Sequence, residues 1–281
     1  MELKLGQFNR LKIAKEVDFG LYLDAGENYE EILLPTRYVP ETYTIGEELD
    51  VFLYLDIDER LIATTLTPYI QVGEFGYLEV SWTNEYGAFL NWGLMKDLFV
   101  PFREQKMTME IGNKYIVYAY VDEESYRIVG TAKVEKHLSK EMPPFNEGDP
   151  VDVLIWQKTD LGFKAIINNE YAGLIYDNEV FQPLYTGMRL QAFIKQVRPD
   201  GKVDLLLQKV GRSQVLDFSD TLIQYINDNG GETSFNDKSA AEDIYEVFGV
   251  SKKVFKKAVG ELYKRKQIIL EPGKIRLNKR K

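Results

Sequence analysis

Alternating apolar and polar residues dominate the first 210 positions of the chain, and this pattern predicts β-strands. A period of two is clearest in the runs LDVFLYLD, KYIVYAYVD and LQAFIKQV, which are rich in aromatic and β-branched residues. The segment Val197–Gln208 predicts a hairpin, because Asp200-Gly201 is a favoured turn pair between apolar runs. After residue 211 the spacing becomes helical, so we expect a mainly β chain with an α+β end.

Three sets of glycines mark an internal repeat. Each set has a first glycine, a second one fourteen residues later, and a third 25 or 26 residues after that. The sets are Gly6, Gly20 and Gly46; Gly73, Gly87 and Gly112; and Gly148, Gly162 and Gly187. The second glycine interrupts an apolar run, which indicates a bend or bulge in a strand. Five short strands in about 70 residues predict a small Greek-key barrel of the OB type. We therefore predict three barrels, at residues 1–70, 71–142 and 143–211.

The remaining residues, 212–281, have the order helix, short strand, helix, turn, helix, hairpin. Apolar residues at helical spacing predict the first helix, and Gly230-Gly231 ends it. We expect Asp237 or Ser239 to cap the second helix and Ser251 to cap the third. The apolar positions of the third helix are Phe255, Val259, Leu262 and Tyr263, and Pro272-Gly273 predicts the final hairpin. This order predicts a winged-helix domain, in which the last helix contacts nucleic acid.

The phrases FGLYL, YGAFL and LGFKA, each followed by a short apolar strand, resemble the RNA-binding domain of the ribosomal S-one type. The resemblance implies that side chains flanking the bend, with the residue closing the next strand, form a nucleic-acid face. Pro35 and Pro101 close that strand in the first two copies. The side chains implied in base stacking are Phe19, Tyr22, Trp82, Tyr86, Phe89, Phe163 and Tyr176. Trp92 lies past the strand end, so we expect it to close its barrel or pack on the neighbouring module.

Charge is distributed very unevenly along the chain. The net charge is −9, yet residues 249–281 hold twelve Lys or Arg and two Glu, which leaves −19 on residues 1–248. The first barrel carries −8, the second −3 and the third −2, so the second and third are the better candidates for binding phosphate. Candidate phosphate contacts are Lys164, Lys252, Lys253, Lys256, Lys257, Lys264, Lys274 and Arg276. The tail adds Lys279, Arg280 and Lys281.

Catalytic and metal-binding chemistry finds little support in the sequence. The chain has no cysteine, and its one histidine, His137, has no nucleophile nearby in sequence. The acidic runs Asp56–Glu59 and Asp122–Ser125 fall where turns between strands are expected. We therefore expect no catalytic residue, metal or cofactor. No apolar run approaches the length of a bilayer span and residues 1–20 lack a signal-peptide core, so we expect a cytoplasmic protein with no membrane contact.

Three S-one-like barrels followed by a winged helix resemble the bacterial conserved virulence factor B family. That resemblance implies RNA binding linked to gene regulation and virulence. Our leading hypothesis is a monomeric, non-catalytic protein that binds single-stranded RNA with modest sequence specificity in post-transcriptional regulation. Two alternatives stay open: an adaptor whose acidic barrels dock to the ribosome or to a basic protein, and DNA binding through the winged helix.

Overall fold

The computed structural model describes residues 3–26, 29–180, 182–208 and 212–278, with the backbone alone for residues 212–217. The chain divides into two compact units, Met1–Leu138 and Ser139–Lys281. Among the described residues, no helix is both long and apolar enough to cross a lipid bilayer.

The N-terminal unit contains two closed five-stranded barrels. The strands of the first are β1 (Phe8–Val17), β2 (Gly20–Asp24), β3 (Ile32–Pro35), β4 (Glu48–Leu55) and β5 (Leu61–Thr64). The strands of the second are β6 (Phe75–Thr83), β7 (Gly87–Asn91), β8 (Leu98–Pro101), β9 (Lys114–Val121) and β10 (Ile128–Thr131). Both barrels have the same circular order, in which the third and fifth strands pair in parallel and the other neighbours pair antiparallel.

The C-terminal unit begins with a third barrel of the same order. Its strands are β11 (Pro150–Thr159), β12 (Gly162–Ile167), β13 (Tyr171–Tyr176), β14 (Arg189–Val197) and β15 (Val203–Leu206). The predicted hairpin around Asp200-Gly201 joins β14 to β15. The three predicted barrels are confirmed, whereas the boundaries drawn between modules stay a prediction.

The second glycine of each set is required by a close approach of two strands. A Cβ on Gly20 would lie 2.1 Å from the carbonyl oxygen of Leu34, and one on Gly87 would lie 2.3 Å from that of Val100. Gly162 meets Ile175 in the same way, at 2.1 Å. No side chain fits at these distances, which explains why each apolar run is interrupted by glycine at this point.

The chain continues into three helices and a small sheet. The helices are α1 (Arg212–Asp228), α2 (Ala241–Phe248) and α3 (Lys252–Lys264). The three-stranded sheet has the order β16 (Glu232–Thr233), β18 (Lys274–Leu277), β17 (Ile268–Glu271). The fold class is therefore confirmed: three OB-type barrels followed by an α+β winged helix.

The capping predictions for α2 and α3 had different outcomes. Ser251 caps α3 by accepting a hydrogen bond from the backbone N–H of Val254 at 3.3 Å. The prediction for α2 was wrong, because Ala240 is the N-cap residue and provides no side-chain bond. The Ser239 hydroxyl instead accepts from the backbone N–H of Asn236 at 3.0 Å, within the preceding turn.

Candidate nucleic-acid interface

A β-bulge in the first strand of each barrel determines which side chains face outward beyond it. In β6 the register shifts between Val80 and Trp82, and β1 and β11 have the same shift at the matching place. Val80 is buried, so regular alternation would bury Trp82 as well. The extra residue reverses the side, and Trp82 is 44% exposed. The bulge therefore places Trp82 on the outer surface of the second barrel.

Three aromatic side chains lie next to one another on that surface. Trp82 on β6 is opposite Phe89 on β7, and Phe89 is opposite Phe99 on β8. The rings of Trp82 and Phe89 are stacked with centroids 3.7 Å apart and planes 2° apart, and Phe99 tilts against Phe89 at 4.9 Å. The Trp82 indole N–H donates to the Asp97 carboxylate at 3.2 Å. We call Trp82, Phe89 and Phe99 the aromatic row; a nucleobase stacks on such rings.

The other two aromatic residues of this stretch have different environments. Tyr86 is 66% exposed in the turn before β7, and its backbone N–H donates to the Asn84 side chain at 2.8 Å. Trp92 is buried, packs edge to face on Phe52 of the first barrel at 5.8 Å, and donates its indole N–H to the Lys96 carbonyl. The expectation that Trp92 closes its barrel or packs on the neighbouring module is confirmed for the second alternative. The exposed ring of Tyr86 is accessible to a ligand.

The first barrel presents a smaller aromatic surface. Its residues in register with the aromatic row are Lys15, Tyr22 and Leu33. Phe19 is exposed and contacts Tyr22 edge to face at 6.2 Å, while the Lys15 amine lies 5.0 Å from the centre of the Tyr22 ring. Lys15 also forms an ion pair with Glu31. A single pair of rings on an acidic module makes this barrel a poorer site for a polyanion than the second.

In the third barrel a cation replaces the central aromatic residue. Lys164 occupies the position of Phe89, and its amine lies 5.0 Å from the centre of the Trp156 ring. Phe163 precedes Lys164 on β12, so its side chain lies on the opposite face of the strand, toward the barrel interior. It is half-buried against the barrel core, and the Lys158 amine lies over its ring. Phe163 therefore has less free ring surface than the aromatic row.

Tyr176 lies opposite the bend glycine of the third barrel, Gly162. Its hydroxyl accepts a hydrogen bond from Arg198, whose guanidinium is paired with the buried Asp204 at 2.9 Å. These bonds hold the Tyr176 ring at the barrel edge, and its hydroxyl oxygen already has a hydrogen-bond partner. Only the ring face of Tyr176 is then available for stacking.

The exposed face of α3 carries lysines whose charge is not neutralised. Lys256, Lys257 and Lys264 are exposed and form no ion pair with any residue that the structure describes. Tyr263 lies among them and is 55% exposed, so its assignment to the apolar stripe of the helix was wrong. The other predicted members of the stripe, Phe255, Val259 and Leu262, are buried, whereas Tyr263 faces solvent. We call Lys256, Lys257 and Lys264 the lysine face.

The first two lysines of α3 are engaged within the C-terminal unit. Lys253 pairs with Glu179 of the third barrel at 3.3 Å, and Glu179 also accepts from Lys195 at 2.9 Å. Lys252 donates to the backbone carbonyl of Ser239 at 2.6 Å. Both side chains therefore stabilise the packing of α3, and a phosphate would have to displace these bonds to reach them.

The cations of the wing hairpin are also paired. Lys274 bonds Glu232 at 3.0 Å, and Arg276 bonds Glu271 at 3.3 Å and Glu232 at 3.5 Å. The Lys274 ammonium holds the pKa of the Glu232 carboxyl below its usual value, as an adjacent cation does. The wing therefore carries little net charge, unlike the lysine face. The three basic residues of the tail, Lys279, Arg280 and Lys281, lie outside the described residues.

His137 is half-buried. Its ring stacks on Tyr118 with centroids 4.2 Å apart, and burial lowers the pKa of the imidazole. No cluster of three or more His, Cys, Asp or Glu side chains within the described parts of the chain is arranged to hold a metal ion.

Comparison with known proteins gives domain matches at both ends of the chain. The S1 domain model matches residues 5–66, and the CvfB-like winged helix domain model matches residues 220–277. Both are non-catalytic domain types that indicate nucleic-acid binding.

Relatives align along nearly the whole chain. Uncharacterized protein YitL of Bacillus subtilis is 27% identical, over 96% of this chain and 93% of its own length. Conserved virulence factor B of Staphylococcus epidermidis is 25% identical, over 92% of this chain and 90% of its own length. A solved multidomain protein with nucleic acid binding domains from Streptococcus pneumoniae is 23% identical, over 98% of both chains, with a TM-score of 0.43. The predicted resemblance to the conserved virulence factor B family is therefore confirmed, with an S1 domain and a CvfB-like winged helix within this chain.

Proposed function

We propose that this protein binds single-stranded RNA without catalysing a reaction, and that it acts in post-transcriptional regulation in the cytoplasm. The observation that carries the proposal is the aromatic row, three adjacent rings on the outer surface of the second barrel. Base pairs in a duplex hide the faces of their bases, whereas a single strand can turn its bases onto aromatic rings. Stacking is available to every base, so sequence specificity should be modest.

The lysine face supplies the second part of the proposed interface. Its ammonium groups would attract phosphates, and the affinity would then fall as salt concentration rises. A carboxylate lies against the aromatic row itself, since Asp97 accepts a hydrogen bond from the Trp82 indole. Stacking on the second barrel and phosphate binding on α3 are therefore separate contributions, carried by different units of the chain.

Fluorescence anisotropy of a labelled, mixed-sequence 20-mer RNA at low salt tests the proposal. Replacing Trp82 by Ala should weaken binding by about 5- to 150-fold, which corresponds to the loss of one stacked base at about 1–3 kcal/mol. Tyr77→Ala is the matched control, because Tyr77 is an exposed aromatic residue on the same strand before the bulge. We expect that control to bind like the unaltered protein.

The same titration separates the alternatives. No detectable RNA binding by the unaltered chain would contradict the proposal, and a pull-down that survives nuclease treatment would then favour the protein adaptor. Equal or tighter binding to duplex DNA, lost on substitution of the lysine face alone, would favour DNA recognition by α3.

A further inference from the structure

A cleft of about 490 Å³ lies in the N-terminal unit, where the first and second barrels meet. One wall comes from the end of β4 and the turn after it, with Tyr54, Leu55 and Ile57. The other wall includes Phe89 and Phe99 of the aromatic row. This volume is within the range of about 300–1,000 Å³ typical of small-molecule sites.

Charged groups that line the cleft balance one another. Arg127 pairs with Glu59 across the two barrels. Lys96 donates to the Asp56 carbonyl at 2.7 Å, and burial lowers the pKa of its amine. Asp97, the other lining carboxylate, accepts from the Trp82 indole. With both cations already engaged, the cleft is better suited to a neutral, flat, apolar group than to a phosphate.

Unpartnered apolar surface lies along the lining of the cleft. Ile57 is 87% exposed and Tyr86 is 66% exposed, although both contribute to the lining. Phe89 and Phe99 belong both to the cleft wall and to the aromatic row, so the two surfaces are continuous. A strand stacked on the row therefore passes the cleft, within reach of one neighbouring base.

We propose that the cleft receives one unstacked nucleobase of the RNA strand that crosses the aromatic row. This inference rests on the proposed function, since it needs a bound strand. The aromatic wall would stack on the flat, uncharged face of the base.

The test uses the full chain and a 20-mer RNA in which 4-thiouridine replaces uridine at single positions. After irradiation, peptide mapping should find a crosslink within residues 54–57, from one position of the strand. Ile57→Trp fills the cleft from an exposed site, and it should remove this crosslink and weaken RNA binding at least about 5-fold. Ile45→Trp is the control, because Ile45 is an exposed isoleucine of the same barrel outside the cleft lining.

The outcomes distinguish this inference from the proposed function. Failure of the unaltered chain to bind the RNA refutes both. RNA binding with no crosslink in residues 54–57, and with the Ile57→Trp affinity no lower than that of Ile45→Trp, overturns the cleft alone. That result would favour an apolar side chain of a protein partner as the occupant.

Discussion

Neutralising the lysine face should weaken nucleic-acid binding far more than neutralising the wing. The perturbation is the triple variant Lys256→Gln, Lys257→Gln and Lys264→Gln. Glutamine has nearly the helix propensity of lysine, and these side chains form no ion pair with described residues, so α3 should remain folded.

The magnitude follows from counterion release. Each phosphate contact on a single strand contributes about 0.7 to the slope of log affinity against log salt, so three contacts contribute about 2. We take about 1 M as the salt concentration at which the triple variant and the unaltered chain bind equally. At about 0.1 M salt, one log unit lower, the triple variant should then bind about 100-fold more weakly than the unaltered chain.

The assay is a series of RNA titrations between about 0.05 and 0.5 M salt, which gives both the affinity and the slope. The control variant carries Lys274→Gln and Arg276→Gln, which removes two wing cations that are already paired with Glu232 and Glu271. Its slope should stay close to that of the unaltered chain. An unchanged slope in the triple variant, or an equal loss in the wing variant, would refute the reasoning from unpaired charge.

Three further predictions concern stability. Gly20→Ala would place a Cβ 2.1 Å from the Leu34 carbonyl and should destabilise the first barrel by about 3 kcal/mol, measured as a lower urea midpoint. Gly260→Ala meets no atom within 4 Å and should stabilise α3 by about 0.5–1 kcal/mol, seen as a higher melting temperature of the helical circular dichroism signal. The pKa of Glu232 is lowered in the folded state, so its contribution to stability is present above pH 4.5 and is lost as the pH falls further. Melting temperatures of the unaltered chain should then decline below pH 4.5 more steeply than those of Glu232→Gln.

Much of the fold could be predicted because its signals are local. The Asp200-Gly201 turn and the Ser251 cap each reflect a requirement within a few residues of sequence. The bend glycines meet a strand that lies only 13 or 14 residues further along the chain. Such requirements hold whatever surrounds them, and so they can be read from the chain alone.

The candidate site was predicted less completely, because its geometry depends on contacts between distant positions. Phe99 joins the aromatic row only through its register opposite Phe89, and the sequence analysis did not select it. Its signal was an aromatic residue in the strand after the bend, where the other two copies have leucine. The pairing of Lys253 with Glu179 joins residues 74 positions apart, so sequence spacing gave no indication of it.

The parallel contact between Trp82 and Phe89 has a consequence for the thermodynamics of binding. The two rings are ordered before any base arrives, so the loss of side-chain entropy belongs to folding and not to association. In the proposed complex, Phe89 would strengthen binding by immobilising Trp82, even where a base touches only the outer face of the indole. The two parallel rings resemble two stacked bases, and the first base of a bound strand would extend that stack.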